Sequence, residues 1–225
     1  RLRSWNSGQE SWQLQDPAGR QQLLDLASND YLGLSRHPDV LAAATEAMAS
    51  DGVGAGGSRL ITGTRPRHLE LEEALAAWLG RDRVLLFPSG FQANIAAVTA
   101  LSDRHTTVLV DRLIHHSLLT GVRTSGARLQ RFAHNDLENL DQRLQRLKDA
   151  TTPPLVVTES LFSMEGTSPD LNGIADLCAS HGAQLLVDEA HGLGVLGPGG
   201  CGLCHGLQQP VALVCGTFGK AFGSG

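Results

Sequence analysis

A chain of 225 residues with 41% apolar and 18% charged side chains can bury one good-sized core, and this balance excludes a disordered polypeptide. Eighteen basic against twenty-three acidic residues give a formal charge of −5, and without a Lys- or Arg-rich run this argues against a nucleic-acid-binding surface. No stretch reaches the ~18 apolar residues of a membrane span, the start RLRSWNSGQESW lacks the apolar centre of a signal peptide, and Cys178, Cys201, Cys204 and Cys215 are expected to be reduced thiols of a cytoplasmic protein.

Residues 1–37 read as a polar, irregular N-terminal segment closing on ASNDYLGL, and residues 38–225 as one larger domain. A helix is predicted from Pro38 to Ser50, with Pro38 in its first turn and an Ala-rich interior. The glycine-dense stretch from Gly52 to Gly63 is predicted to lack regular structure. A second helix is predicted over His68–Leu79, where Leu69, Leu71, Leu75 and Leu79 form an apolar stripe.

Beyond it the pattern alternates. Short apolar runs at Val84–Phe87, Thr107–Val110, Leu155–Thr158, Gln184–Val187 and Val211–Cys215 read as strands, with candidate helices at Gln92–Leu101, Leu137–Leu147 and Ile174–His181. Strands that are apolar throughout are buried on both faces, so the fold class is α/β: a three-layer α/β/α sandwich with a mainly parallel sheet. In such sheets ligands bind beyond the carboxyl ends of the strands, and the chemistry is sought there. The chain begins with Arg rather than Met and stops at Phe222-Gly-Ser-Gly225 without a closing helix, so truncation is expected.

Four strand ends carry polar residues of particular types. Ser89-Gly90-Phe91-Gln92-Ala93-Asn94 is a turn opening a helix, whose free N–H groups and dipole would cradle a phosphate. Asp111, His115 and His116 follow the next strand; Asp188-Glu189-Ala190-His191 and Thr217-Phe218-Gly219-Lys220 follow two later ones. A phosphate cradle, a flat imidazole, a strand-end carboxylate and a late Lys, taken in this order, point to pyridoxal phosphate. That cofactor needs a Lys for covalent attachment and a carboxylate to keep its pyridine nitrogen protonated.

The segments ASNDYLGLSRHP, GVGAGGSRLITGT, FPSGFQANIAA, DRLIHHSLLTG, RFAHND, TESLFSMEG, LLVDEAHGLGVLG and GTFGKAFGSG, in order from Ala27 to Gly225, resemble the α-oxoamine synthases. The resemblance implies the large domain of a fold-type-I pyridoxal-phosphate transferase, working as a homodimer on an amino acid and an acyl-CoA, with a smaller C-terminal domain to follow. GGSRLITG is most similar to the member that condenses L-alanine with pimeloyl-CoA; sister enzymes take glycine or serine with other acyl-CoAs. Carried over residue by residue, Lys220 matches the cofactor-binding Lys, Asp188 the partner of the pyridine nitrogen, and His191 the neighbour of the ring's phenolic oxygen. His115 matches the imidazole stacked on the ring and near the substrate, with His116 the alternative one residue on. Gly90 and Phe91 match backbone phosphate contacts, Thr217 a side-chain phosphate contact, Ser163 a further cofactor ligand, and Arg1 or Arg3 a substrate-contacting Arg. Cys201, where the family often has Arg, and Glu165, in place of a common Asp, depart from the pattern.

Three other motifs lack their context. Gly52-Val-Gly54-Ala-Gly56-Gly57 matches a dinucleotide fingerprint but follows a predicted helix, not a strand. Asp188-Glu189-Ala190-His191 spells the DEAH of helicase ATPases without an upstream P-loop, and Cys201-Gly-Leu-Cys204-His205 spells a haem-attachment motif without an export signal. No metal is expected. A protein that only binds partners is the rival from another functional class.

Overall fold

The computed structural model describes residues 27–224, together with the backbone of three strands nearer the N-terminus. Those strands correct the expectation of an irregular start: β1 (Trp5–Ser7), β2 (Trp12–Asp16) and β3 (Gly19–Gln22) form an antiparallel sheet, with Trp5 opposite Leu14 and Leu14 opposite Gln21. The signal was the alternation Trp12-Gln-Leu14-Gln, the period of a half-buried strand, in a stretch whose overall polarity masked it.

All the predicted helices are present in the predicted order, and one helix is additional. They are α1 (Pro38–Asp51), α2 (Pro66–Leu79), α3 (Gly90–Leu101), α4 (His116–Ser125), α5 (Leu137–Gln145) and α6 (Leu171–Ser180). Local chemistry sets their starts: Ser89, Asp136 and Asp170 cap α3, α5 and α6 by accepting from the N–H groups of Gln92, Asn139 and Gly173. The larger sheet contains β4 (Thr107–Asp111), β5 (Arg128–Phe132), β6 (Leu155–Glu159), β7 (Gln184–Asp188) and β8 (Leu213–Cys215). Its order is β5-β4-β6-β7-β8 and every pairing is parallel.

Two cores sandwich that sheet. Leu109, Val156, Leu185 and Val187 pack with Leu140, Leu144 and Ile174 of α5 and α6, whereas Val108, Val110, Leu155, Val157 and Leu186 pack with Val98, Leu118 and Val122 of α3 and α4. Alternate residues of one strand therefore enter opposite layers, which is why β4 and β6 read as unbroken apolar runs. The three-layer α/β/α arrangement is the expected one.

Some elements differ from expectation. Val84–Phe87 is not a strand: it has no ladder partner among the described residues, and Leu85 is 72% exposed. An apolar run supplies side chains for a core, but a strand also needs a neighbouring backbone to bond. Here a groove of about 1290 Å³ is lined by this run and by β8. The glycine-dense stretch contains a single π-helical turn, Arg59–Gly63, held by Arg59, whose guanidinium binds both carboxylate oxygens of Glu72. β5 and α4 had no predicted counterpart. β5 is an edge strand carrying Arg128, Gln130 and Arg131, the polar dress that blunts an edge and hides the strand pattern.

Helices α3 and α4 approach closely at Gly121, where an added Cβ would lie 2.8 Å from Val98 Cβ. Gly121→Val is expected to lower stability by about 1–3 kcal/mol, because the two backbones must separate to admit the side chain. A urea-denaturation midpoint equal to that of the parent protein would contradict this.

Candidate active site

In the sheet order, the chain moves from β4 outward to β5 and then crosses back to place β6 on the other side of β4. Such a reversal opens a crevice at the carboxyl ends of the diverging strands. Three neighbouring strands end there in carboxylates: Asp111 on β4, Glu159 on β6 and Asp188 on β7, with Glu159 and Asp188 in register. Each meets a different environment.

Asp111 is fully buried and serves the loops. Its carboxylate accepts from the N–H groups of Leu113 and Asn135 at 2.9 and 3.1 Å, and lies 2.9 Å from His134 Nδ1, whose Nε2 reaches Thr167 Oγ1 at 2.8 Å. Asp188 is 5% exposed; its Oδ1 accepts from the Ala190 N–H at 2.8 Å and its Oδ2 from Asn94 Nδ2 at 2.7 Å. Glu159 accepts from the backbone N–H of His115 at 2.6 Å and so ties the start of α4 to the end of β6. Burial, then the neighbouring Asp188 carboxylate, push the Glu159 carboxyl up to about 8.

The Glu159 shift has a measurable sign. The folded protein holds this proton from an ordinary 4.5 up to about 8, so folding binds a proton over that window. The stability tied to the group is therefore complete below the lower value and is lost as pH rises through the upper one. Glu159→Gln, without added ligands, is expected to flatten the fall in urea midpoint between about pH 5 and about pH 9. An equally steep fall in the variant would show that other groups carry it.

Lys220 lies after β8 and is half-buried, its Nζ 2.8 Å from His191 Nε2. His191 Nδ1 is in turn 2.6 Å from the Tyr31 hydroxyl, which brings the end of ASNDYLGL to the strand ends. Burial, followed by the Lys220 charge, lowers His191 to about 4, leaving a neutral imidazole near neutral pH. Burial also lowers the Lys220 amine, opposed by the carboxylates of Asp188 and Glu159. The site thus holds a lysine whose amine is lowered by burial, a fall that the neighbouring Asp188 most strongly opposes.

His115 caps α4. Its Nδ1 receives the Ser117 N–H at 3.3 Å and lies 2.6 Å from Ser117 Oγ. His116, the alternative, is the first residue of α4, exposed, and makes no side-chain hydrogen bond among the described residues. Gly90 and Phe91 open α3, and their N–H groups belong to the first turn, which has no intrahelical acceptor. Gly90 faces the loop after β8: a Cβ there would lie 3.3 Å from Thr217 Cβ. The Thr217 hydroxyl oxygen accepts from the Gly219 N–H at 3.2 Å.

The structure therefore gathers Asp188, His191, Lys220 and His115 with the Gly90–Thr217 cradle at one end of the sheet. Ser163 is exposed on the turn after β6, with no side-chain hydrogen bond among the described residues. Arg1 and Arg3 lie outside the described residues. Glu159, Asn94, Ser117 and Tyr31 were not singled out from sequence. Glu159 and Tyr31 sit inside quoted segments, but nothing in a linear pattern shows that they meet His115 and His191.

The rival motifs are accounted for. Glu189 of the DEAH string is fully buried, accepting from the Ser160 hydroxyl and, at 2.6 Å, from the Cys204 N–H. The four cysteines are free and buried, and burial raises the thiols of Cys178 and Cys215 to about 12. Among the described residues no His, Cys, Asp and Glu group could hold a metal ion, and no helix is long and apolar enough to cross a membrane.

Residues 21–225 match the family described as aminotransferase class I and II. The chain is 48% identical over 204 residues to an 8-amino-7-oxononanoate synthase of Cellvibrio japonicus, covering 89% of this chain and 51% of that protein. Among solved structures it is similar to a serine palmitoyltransferase from S. paucimobilis with bound PLP–myriocin (35% identity, TM-score 0.87, 94% of this chain and 53% of that one). It is also similar to an 8-amino-7-oxononanoate synthase from Francisella tularensis (27% identity, TM-score 0.71, 90% and 56%). The chain spans about half the length of the relatives it matches.

Proposed function

Because the chain belongs to the class I and II aminotransferase family, we propose that it forms the cofactor-binding domain of a pyridoxal-phosphate-dependent synthase. The reaction is the decarboxylative condensation of L-alanine with pimeloyl-CoA to 8-amino-7-oxononanoate, CoA and CO2. The observation that carries the reading is Lys220 at the end of the sheet, its amine lowered by burial, beside His191 and the buried Asp188 carboxylate. Curated 8-amino-7-oxononanoate synthases of several bacteria share 46–48% identity with the chain over most of its length, which supports this synthase over its sisters.

The residues present fit the cofactor. The first turn of α3 offers N–H groups at Gly90 and Phe91, and the absent Cβ of Gly90 leaves room beside Thr217 for phosphate oxygens. Asp188, a buried carboxyl whose two oxygens accept from Asn94 and Ala190, suits a protonated pyridine nitrogen, and Lys220 would attach the cofactor covalently. His115 would cover the ring, His191 would lie by its phenolic oxygen, and Ser163 would add a further contact. When bound, pyridoxal phosphate supplies an electron sink for the α-carbon of the amino acid.

The chain's own groups then have definite tasks. Lys220 Nζ, lowered by burial, can accept the α-proton and return it within the site. Neutral His191 holds the amine at 2.8 Å and is itself held by Tyr31. Glu159 anchors the backbone of His115 and thereby the entrance to α4. Substrate contacts from Arg1 or Arg3, a homodimeric assembly and a cytoplasmic location complete the reading.

The test is CoA release by the protein reconstituted with pyridoxal phosphate. Alanine with pimeloyl-CoA is offered beside glycine with succinyl- or acetyl-CoA and serine with palmitoyl-CoA. Release confined to the first pair supports the assignment. Release only with glycine or serine moves the protein to a sister reaction, and silence from every pair without cofactor absorbance overturns it.

A further inference from the structure

Asn94 is buried on α3, and its Nδ2 lies 2.7 Å from Asp188 Oδ2 and 2.9 Å from Ser117 Oγ. A side-chain amide has two N–H bonds, and these two contacts use both. Its Oδ1 is the one buried side-chain polar atom without a hydrogen bond among the described residues. Turning the amide over would set that oxygen against the Asp188 carboxylate, so acceptor would face acceptor. An orphaned carbonyl is therefore tolerated in order to present a donor to Asp188.

The direction of every further bond follows. Ser117, fully buried, accepts from Asn94, and its single hydroxyl proton is left for its other neighbour, His115 Nδ1, at 2.6 Å. The Ser117 backbone N–H, which can only donate, approaches the same nitrogen at 3.3 Å. Two donors converge on Nδ1, so its lone pair is engaged and it carries no proton. The remaining ring nitrogen, Nε2, has no hydrogen bond among the described residues and must carry the proton of the neutral ring.

We propose that Asn94 and Ser117 are positioning residues which fix His115 in its Nε2–H tautomer through a one-directional hydrogen-bond relay starting at the Asp188 carboxylate. The relay joins the residue assigned to the pyridine nitrogen with the residue assigned to the ring face. That functional meaning rests on the proposed function, whereas the tautomer does not. His115 then offers Nε2–H as a donor for an acceptor on the ligand, with ring angle and proton position set before the ligand arrives.

The experiment is a long-range ¹H–¹⁵N correlation spectrum of the whole protein labelled at its nine histidines, with His115 assigned from His115→Phe. The expected pattern is an unprotonated Nδ1 and a protonated Nε2. Asn94→Ala frees the Ser117 hydroxyl to rotate, and Ser117→Ala removes it; each is expected to shift Nδ1 towards the protonated position. A parent spectrum with a protonated Nδ1 overturns the proposal without any variant being needed, and so does an unchanged His115 pattern in both folded variants. Failure of the cofactor to bind beside an intact Nε2–H pattern would sink the functional reading and leave the relay standing. Normal cofactor binding with the opposite tautomer would do the reverse.

Discussion

Lys220→Ala is expected to abolish the visible absorbance that pyridoxal phosphate acquires on covalent attachment, and to lower turnover by about 10³-fold or more. On the proposed function two tasks fall on this one nitrogen: it would anchor the cofactor and carry the α-proton. The surrounding protein prepares the amine for both, since burial lowers it while Asp188 and Glu159 limit the fall. Lys220→Arg separates charge from nucleophilicity, because a guanidinium keeps the charge but cannot lose its proton to react. It is expected to behave like the Ala variant. The measurement is an absorbance titration with the cofactor followed by gel filtration, together with CoA release. Retention of absorbance through filtration by Lys220→Ala would mean that another amine binds the cofactor. A secondary sign lies in His191, which is lowered in part by the Lys220 charge and should titrate at a higher pH once that charge is removed.

The second large effect is expected from Asp188→Asn. The amide matches the carboxylate in size; its one oxygen can still accept from the Ala190 N–H, and its NH2 can donate to the otherwise unbonded Asn94 Oδ1 once that amide turns over, so folding and cofactor retention should survive. What is lost is the carboxylate that the proposed function sets opposite the pyridine nitrogen. Removing a preorganised charge of this kind typically lowers turnover by about 10²–10³-fold. The substitution also removes a carboxylate that raises Lys220, so the amine is expected to titrate at still lower pH. The check is a pH series of absorbance spectra with turnover measured on the same samples. Full activity would place the pyridine partner elsewhere, with Glu159 next in line.

The layered fold was legible because its central strands carry no polar positions. Val108–Val110, Leu155–Val157 and Leu185–Val187 lie in a sheet covered on both faces, and such burial leaves an unbroken apolar run in the chain. Strand-end chemistry was legible for a related reason: the runs of β4 and β7 stop abruptly at the carboxyls of Asp111 and Asp188, whereas Glu159 at the end of β6 was passed over. Helix starts could be read where Ser89 and Asp136 cap them. The N-terminal strands, β5 and α4 escaped because their sequences are polar or mixed. Val84–Phe87 failed in the opposite sense, with strand-like side chains and no adjacent backbone among the described residues to bond.

Residue types and their order along the chain thus settled the fold class and assembled Lys220, Asp188, His191 and His115 as candidates, since each follows an apolar run and the strands of a parallel sheet all end at one edge. Which atoms meet was a matter of three dimensions. Tyr31 reaches His191 across 160 residues, and Asn94 reaches Asp188 across 94. Glu159 comes under His115 only because β4 and β6 are neighbours in the sheet. The physical reason is that burial and hydrogen-bond direction are properties of an assembled neighbourhood. A raised carboxyl at Glu159, a lowered amine at Lys220 and two donors on one nitrogen of His115 exist only once strands distant in sequence have closed around them.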